Sequence, residues 1–168
     1  MSVRSLFLVF AIMTVSYSFS RGQSQITTFI LVRHAEKISD DSNDPGLKTE
    51  GMERAARLAK MLEKSRIDAI YSTAFKRTRE TVAPLAESKR LNVTTYEPFK
   101  EAPIDQILKE HPGGTIVISG HSNSIPWIAN LLTGLGTFKD FDETDYGNLL
   151  VIDVLVKGKS SKATWLQY

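Results

Sequence analysis

Cysteine is absent from the 168 residues, which excludes disulfides, thiolate nucleophiles and cysteine-based metal sites. An excess of one charge is also lacking. The chain carries 21 Lys and Arg against 19 Asp and Glu, a net charge of +2, and so even a balance gives no general reason to expect nucleic acid or an anionic membrane as a partner. Any preference for anions must be local. No internal repeat or low-complexity stretch occurs, and 42% hydrophobic with 24% charged residues is the composition of a globular domain rather than a disordered or fibrous chain. Histidine is scarce, with three copies, so two of them at equivalent places in the fold would carry weight.

Long hydrophobic runs are lacking except near the start. There Arg4 precedes Leu6 to Met13, and small polar residues follow. This is the layout of a secretory signal peptide. A membrane span needs ~20 apolar residues, whereas Thr14, Ser16 and Ser18 interrupt this stretch. The expectation is a signal peptide over residues 1–22, cleaved near Ser20 to Gln23, with an uncleaved anchor as the alternative. Residues 23–168 then form one secreted or periplasmic domain with no stable membrane insertion after signal removal. A domain of that size buries roughly two-thirds of its unfolded surface, enough to stand without disulfides.

Strand and helix patterns alternate along the remainder. Thr28 to Val32 reads as a buried strand, and the acidic stretch Ile38 to Gly46 as a surface loop. A helix capped by Thr49 follows, with Met52, Ala55, Ala56, Ala59 and Leu62 as its apolar positions. Next come a strand Ile67 to Tyr71, a helix Lys76 to Lys89 that Pro84 should kink or divide, and a strand Asn92 to Tyr96. Pro103 suits the first turn of a helix through Leu108, Thr115 to Ser119 is another buried strand, and a helix from Ile125 to Thr133 closes at Gly134. Leu149 to Val156 and Ala163 to Gln167 resemble a hairpin about Lys157-Gly158-Lys159. The pattern predicts an α/β three-layer sandwich, a mostly parallel central sheet flanked by helices.

In such sheets ligands bind beyond the carboxyl ends of the strands. Arg33-His34 and Gly120-His121 both stand there, and the segment Ser72 to Arg77 follows a third strand. Two histidines and two arginines thus share one topological address, and guanidinium groups bind phosphate oxygens in pairs while remaining charged. The segment Leu31-Val32-Arg33-His34-Ala35-Glu36 resembles the signature of the histidine phosphatase (phosphoglycerate mutase-like) superfamily, with Ala35 where Gly is usual. Leu47-Lys48-Thr49-Glu50-Gly51, Ser72 to Thr81 and Val117 to Ser122 resemble three further motifs of that family, in the right order.

The resemblance implies a phosphomonoester hydrolase without metal or cofactor. His34 would attack phosphorus to give a phosphohistidine that water then hydrolyses. Arg33, Arg77 and His121 would hold the phosphoryl oxygens. A carboxylic acid would protonate the leaving oxygen; Glu101 matches the family's segment best, with Asp105 and Glu97 as rivals. The substrate is expected to be small and phosphorylated, of unspecified kind, chosen by the loops Ile38 to Gly46 and Gly134 to Gly147. A non-catalytic phospho-ligand binding module, a phosphomutase, and a zinc hydrolase built on His34 and His121 are the alternatives. Arg79 is expected on a solvated face, Glu36, Asp40, Asp41 and Asp44 in solvent, and His111 at terminal helix carbonyls. Ser122 and Asn123 are expected to cap a helix, and Trp127 and Trp165 to pack.

Overall fold

The computed structural model describes residues 25–39 and 42–168. The expected signal peptide over residues 1–22, like Asp40 and Asp41, lies outside the described residues. In chain order the elements are β1 (Thr27–Arg33), α1 (Thr49–Met61), β2 (Ala69–Ser72), α2 (Lys76–Lys89), β3 (Val93–Thr95), α3 (Glu101–Glu110), β4 (Thr115–Gly120), α4 (Ser124–Thr133), β5 (Asn148–Val156) and β6 (Ser160–Gln167). They build a six-stranded sheet in the order β3-β2-β4-β1-β5-β6. The first four of these strands are parallel, and the β5–β6 hairpin joins antiparallel beside β1.

The central strands β1 and β4 are apolar on both faces through their middles, Phe29 to Val32 and Ile116 to Ile118, because both faces of the sheet are covered, as parallel strands require. Phe29 and Leu31 pack on one side with Ile104 and Ile107 of α3 and Ile125, Ile128 and Leu132 of α4. Ile30 and Val32 point the other way, onto Leu58 of α1 and Val82, Leu85 and Ala86 of α2. The result is the expected three layers. Register then positions the site: Arg33 pairs with Gly120 and Ser72 with Ser119, so β1, β4 and β2 end level with one another.

Local details depart from the sequence expectations. Pro84 does not divide α2, which runs through it as one helix; the missing N–H costs a hydrogen bond, but buried Val82, Leu85 and Ala86 hold both halves to the sheet. Thr49 is the first residue of α1 rather than its cap, and no side chain caps this helix. The buried stripe of α1 is Gly51, Ala55 and Leu58, continued by Leu62, while Met52 and Ala56 face solvent. The stripe is turned because α1 crosses the backbone of Glu36 at Gly51, where an added Cβ would stand 2.2 Å from the Glu36 carbonyl oxygen.

That crossing makes an unusual demand on a helical glycine. Ala is favoured over Gly inside helices by up to ~1 kcal/mol, yet Gly51→Ala should destabilise the domain by about 1–3 kcal/mol, the usual cost of overpacking. Urea unfolding should show a lower midpoint with an unchanged slope; a raised midpoint would rule out the tight crossing.

Candidate active site

His34 leaves the end of β1 with its N–H donating to the Gly120 carbonyl at 2.9 Å. The two histidine-bearing chain ends therefore emerge side by side, and the His34 and His121 rings lie edge to face with centroids 5.5 Å apart. Thr73 leaves β2 in the same way, its N–H reaching the Ser119 carbonyl at 3.4 Å. In the first turn of α2, Arg77 comes within reach of the second histidine, with Nη2 3.5 Å from His121 Nδ1. His34, Arg77 and His121 line an open cleft of about 360 Å³, together with Lys37, Phe75, Pro98, Phe99, Ser122, Asn123 and Glu143.

Hydrogen bonds select the tautomer of each ring. His34 Nδ1 lies 2.8 Å from the Ala35 carbonyl oxygen, which only accepts, so Nδ1 carries the proton and Nε2 keeps its lone pair. His121 Nε2 is 3.0 Å from Thr73 Oγ1. That hydroxyl meets Thr78 Oγ1 at 2.8 Å, which in turn donates to the Phe75 carbonyl at 2.8 Å. Donors run one way along this chain if His121 carries its proton on Nε2, leaving Nδ1 toward Arg77.

Burial, the largest cause, and then the neighbouring arginines lower the pKa of both rings from 6.5 to about 4; at His34 the Ala35 carbonyl opposes the shift. Near neutral pH each ring is therefore uncharged.

Arg33 is fully buried under the cleft. Nη1 donates to the carbonyls of Asp142 at 2.6 Å and Asp145 at 2.9 Å. Nη2 donates to the Glu143 carbonyl at 3.1 Å and to Glu143 Oε2 at 3.0 Å. The guanidinium also lies 4.3 Å from the centre of the Tyr146 ring. Arg77 faces the Phe75 ring at 4.4 Å and stands 3.9 Å from Asp44. The Nε atoms of both arginines are buried and have no hydrogen-bond partner. Orphaned N–H groups of this kind are rare in folded proteins, and here two of them accompany two neutral imidazoles. An oxyanion with several acceptor oxygens would satisfy them.

Of the expected site residues, the fold gathers Arg33, His34, Arg77 and His121 at this one corner. Glu101 is a correction. Phe99 has a left-handed backbone (φ 59°), and it is Pro98 and Phe99 that line the cleft. Glu101 opens α3 and is held, together with Asp105, by Lys157 of the β5–β6 turn. Glu97 pairs with Lys100 in solvent. None of the three candidate acids lines the cleft.

Other expectations also shift. Glu36 is not in solvent but grips Arg54, with Oε1 2.6 Å from Nη2. Ser122 does not cap α4; its hydroxyl donates to Glu143 Oε1 at 2.6 Å. His111 Nε2 meets the Tyr71 hydroxyl at 3.1 Å rather than helix carbonyls. Arg79 reaches only the exposed Thr95 hydroxyl, as expected of a solvated face. Thr73, Thr78 and Glu143 were missed. Thr73 and Thr78 lie inside the motif Ser72 to Thr81, whereas Glu143 sits in an acidic stretch, Asp140 to Asp145, that nothing local distinguishes from solvent-facing loop.

A family model described as the histidine phosphatase superfamily (branch 1) matches residues 29–103, the stretch that carries Arg33, His34 and Arg77. Over that stretch the chain is similar to the histidine phosphatase superfamily. Its similarity to phosphoserine phosphatase 1 of Hydrogenobacter thermophilus is 40% identity over 97 residues, covering 49% of this chain and 46% of that protein. The chain thus spans about half the length of this curated relative. Among solved structures, a phosphoglycerate mutase from Bacillus anthracis superposes with a TM-score of 0.68 at 15% identity, covering 85% of this chain and 93% of the other. The protein histidine phosphatase SixA complexed with tungstate superposes at 0.67 and 16% identity, covering 83% and 96%. Both share the phosphoglycerate mutase-like fold.

The neutral histidines of this site lend themselves to direct observation. In the free protein, the ring signals of His34 and His121 should titrate in NMR with midpoints near 4, and inorganic phosphate should raise both. Because both folded-state values lie below 6.5, the unfolded chain binds protons first as pH falls, so stability should decline from pH 6.5 to about 4. Midpoints near 6.5 would contradict the burial argument.

Proposed function

We propose that this chain is a metal-independent phosphomonoesterase that works through a phosphohistidine on His34. The observation that carries this reading is the free lone pair of His34 Nε2 beside the buried guanidinium of Arg33 and the half-buried one of Arg77, each with an orphaned Nε–H donor. A phosphoryl group placed between them would supply acceptors to Arg33 and Arg77 and bring phosphorus to His34. The low basicity of His34 keeps it unprotonated across the physiological range, so no base has to remove a proton before attack.

In the first step the His34 Nε2 pair forms the N–P bond as the P–O bond to the alcohol breaks. The carbonyl of Ala35 accepts from Nδ1–H and steadies the ring as positive charge grows on it. Arg77 Nε–H and Arg33 Nε–H face the three equatorial oxygens, where preorganised donors act most strongly. His121, neutral at rest, gains a proton as the dianion enters and donates from Nδ1. Water then attacks phosphorus, and His34 departs as neutral imidazole.

Phosphoserine is the first substrate to try, since the curated relative is a phosphoserine phosphatase. The cleft suits a small molecule, with Lys37 and Glu143 offering opposite charges at its rim. The Arg4 and Leu6 to Met13 pattern supports an exported protein.

Rapid quench with labelled substrate should trap an acid-labile, base-stable phosphoenzyme in the native protein and none in His34→Ala. Arg77→Ala should lower kcat/KM by roughly 10²- to 10³-fold, the worth of one oxyanion donor, while Arg79→Ala changes it less than about threefold, as surface substitutions do. Phosphate binding without turnover of even an activated aryl phosphate would instead identify a binding module.

A further inference from the structure

We propose that Glu143 is the acid that protonates the departing alkoxide, an assignment that rests on the phosphohistidine reading above. Glu143 is the one carboxylate that lines the cleft among the described residues, and the other acidic candidates are turned elsewhere by Lys157 and Lys100. Its backbone is fixed against the site. The carbonyls of residues 142, 143 and 145 all accept from Arg33, the Phe141 N–H donates to the Ser122 carbonyl at 2.9 Å, and Phe141 is anchored in the core. Its side chain is 75% exposed and so is free to swing from a fixed hinge.

At rest the carboxylate rests on donors that a phosphoryl group would claim. Oε1 accepts from the Ser122 hydroxyl and Oε2 from Arg33 Nη2, and these contacts hold its pKa below the ordinary carboxylate range, Ser122 first. Entry of a phosphate dianion removes those contacts and sets a double negative charge beside the displaced group. Both changes favour the protonated form, as burial or a neighbouring anion does for any carboxyl. Arg33, His34, Lys37, Arg77 and His121 are the charged or titratable groups that face it in the free site; with the dianion offsetting the two arginines, the carboxyl takes up a proton.

The step balances without any co-reactant. As the P–O bond breaks, its electron pair stays on the leaving oxygen, which takes the proton of the Glu143 carboxyl, and the alcohol departs. In the second half, water attacks the phosphohistidine, its proton passes to the Glu143 carboxylate, and the electron pair of the broken N–P bond returns to His34 Nε2. Free phosphate leaves, and the starting protonation is restored. A group on a hinged side chain at the cleft mouth is placed for both transfers.

The test is Glu143→Gln in the full-length protein, assayed on an alkyl phosphate such as phosphoserine and on nitrophenyl phosphate. On the alkyl ester kcat/KM should fall by roughly 10²- to 10⁴-fold, the usual range for a positioned general acid. The loss on the aryl ester should be far smaller, because its phenolate departs without a proton. With that ester a burst of nitrophenolate and accumulated phosphohistidine should appear, since water attack has lost its base. Equal losses on both esters would overturn the proposal and make Glu143 a positioning residue for Arg33; no loss on either would overturn it outright. Thermal unfolding of the variant separates misfolding from a chemical defect, and an exposed side chain should leave it unaltered. Absence of any trapped phosphoenzyme in the native protein would instead overturn the hydrolase reading on which this one stands.

Discussion

A guanidinium buried without any access to solvent is the constraint around which this molecule is organised. Arg33 stands at the end of the central strand, and a charge taken out of water there is tolerated only if its surroundings supply compensation. The compensation comes from far along the chain: three carbonyls of residues 142–145 and the Glu143 carboxylate converge on it. The long connection between α4 and β5 is therefore not a free surface loop. It is wrapped over the strand ends by the need to satisfy Arg33, and in wrapping it closes one wall of the cleft.

The same economy explains why both histidines are neutral. They share the corner with two arginines, and burial together with that positive field makes a further cation unfavourable. An oxyanion reverses the balance at a stroke, since it satisfies the orphaned Nε donors and cancels the field. On the proposed reading the site is electrostatically unfavourable when free and relieved when loaded, as preorganised catalytic centres are.

Much of this was legible in the sequence because it is local. Apolar runs ending in Arg33-His34 and Gly120-His121 located two strand ends, and one topological rule placed them together. The motif beginning at Ser72 added Arg77. What could not be read depended on contacts between distant segments. Glu101 matched a motif, but its direction is decided by the left-handed turn at Phe99 and by Lys157, 56 residues away. Glu143 gains its place only because Arg33 pulls its backbone in, and Ser122 looks like a helix cap until Glu143 is beside it. The turned stripe of α1 arises from the crossing over Glu36, a contact with no signature in helical periodicity.

The parallel pairing of β1 with β4 has a kinetic meaning as well. Arg33 and Gly120 are neighbours in space but 87 positions apart in the chain, and nothing shorter than that span can form the histidine pair. Parallel strands brought together over such distances must first meet the entropy of closing a long loop, which slows folding. Residues 29–103, where the family likeness lies, end before β4 begins, so a nascent chain of that length holds the first histidine without its companion. The histidine pair therefore forms late in synthesis, when β4 slots between β1 and β2, and the residues 142–145 that compensate Arg33 follow later still.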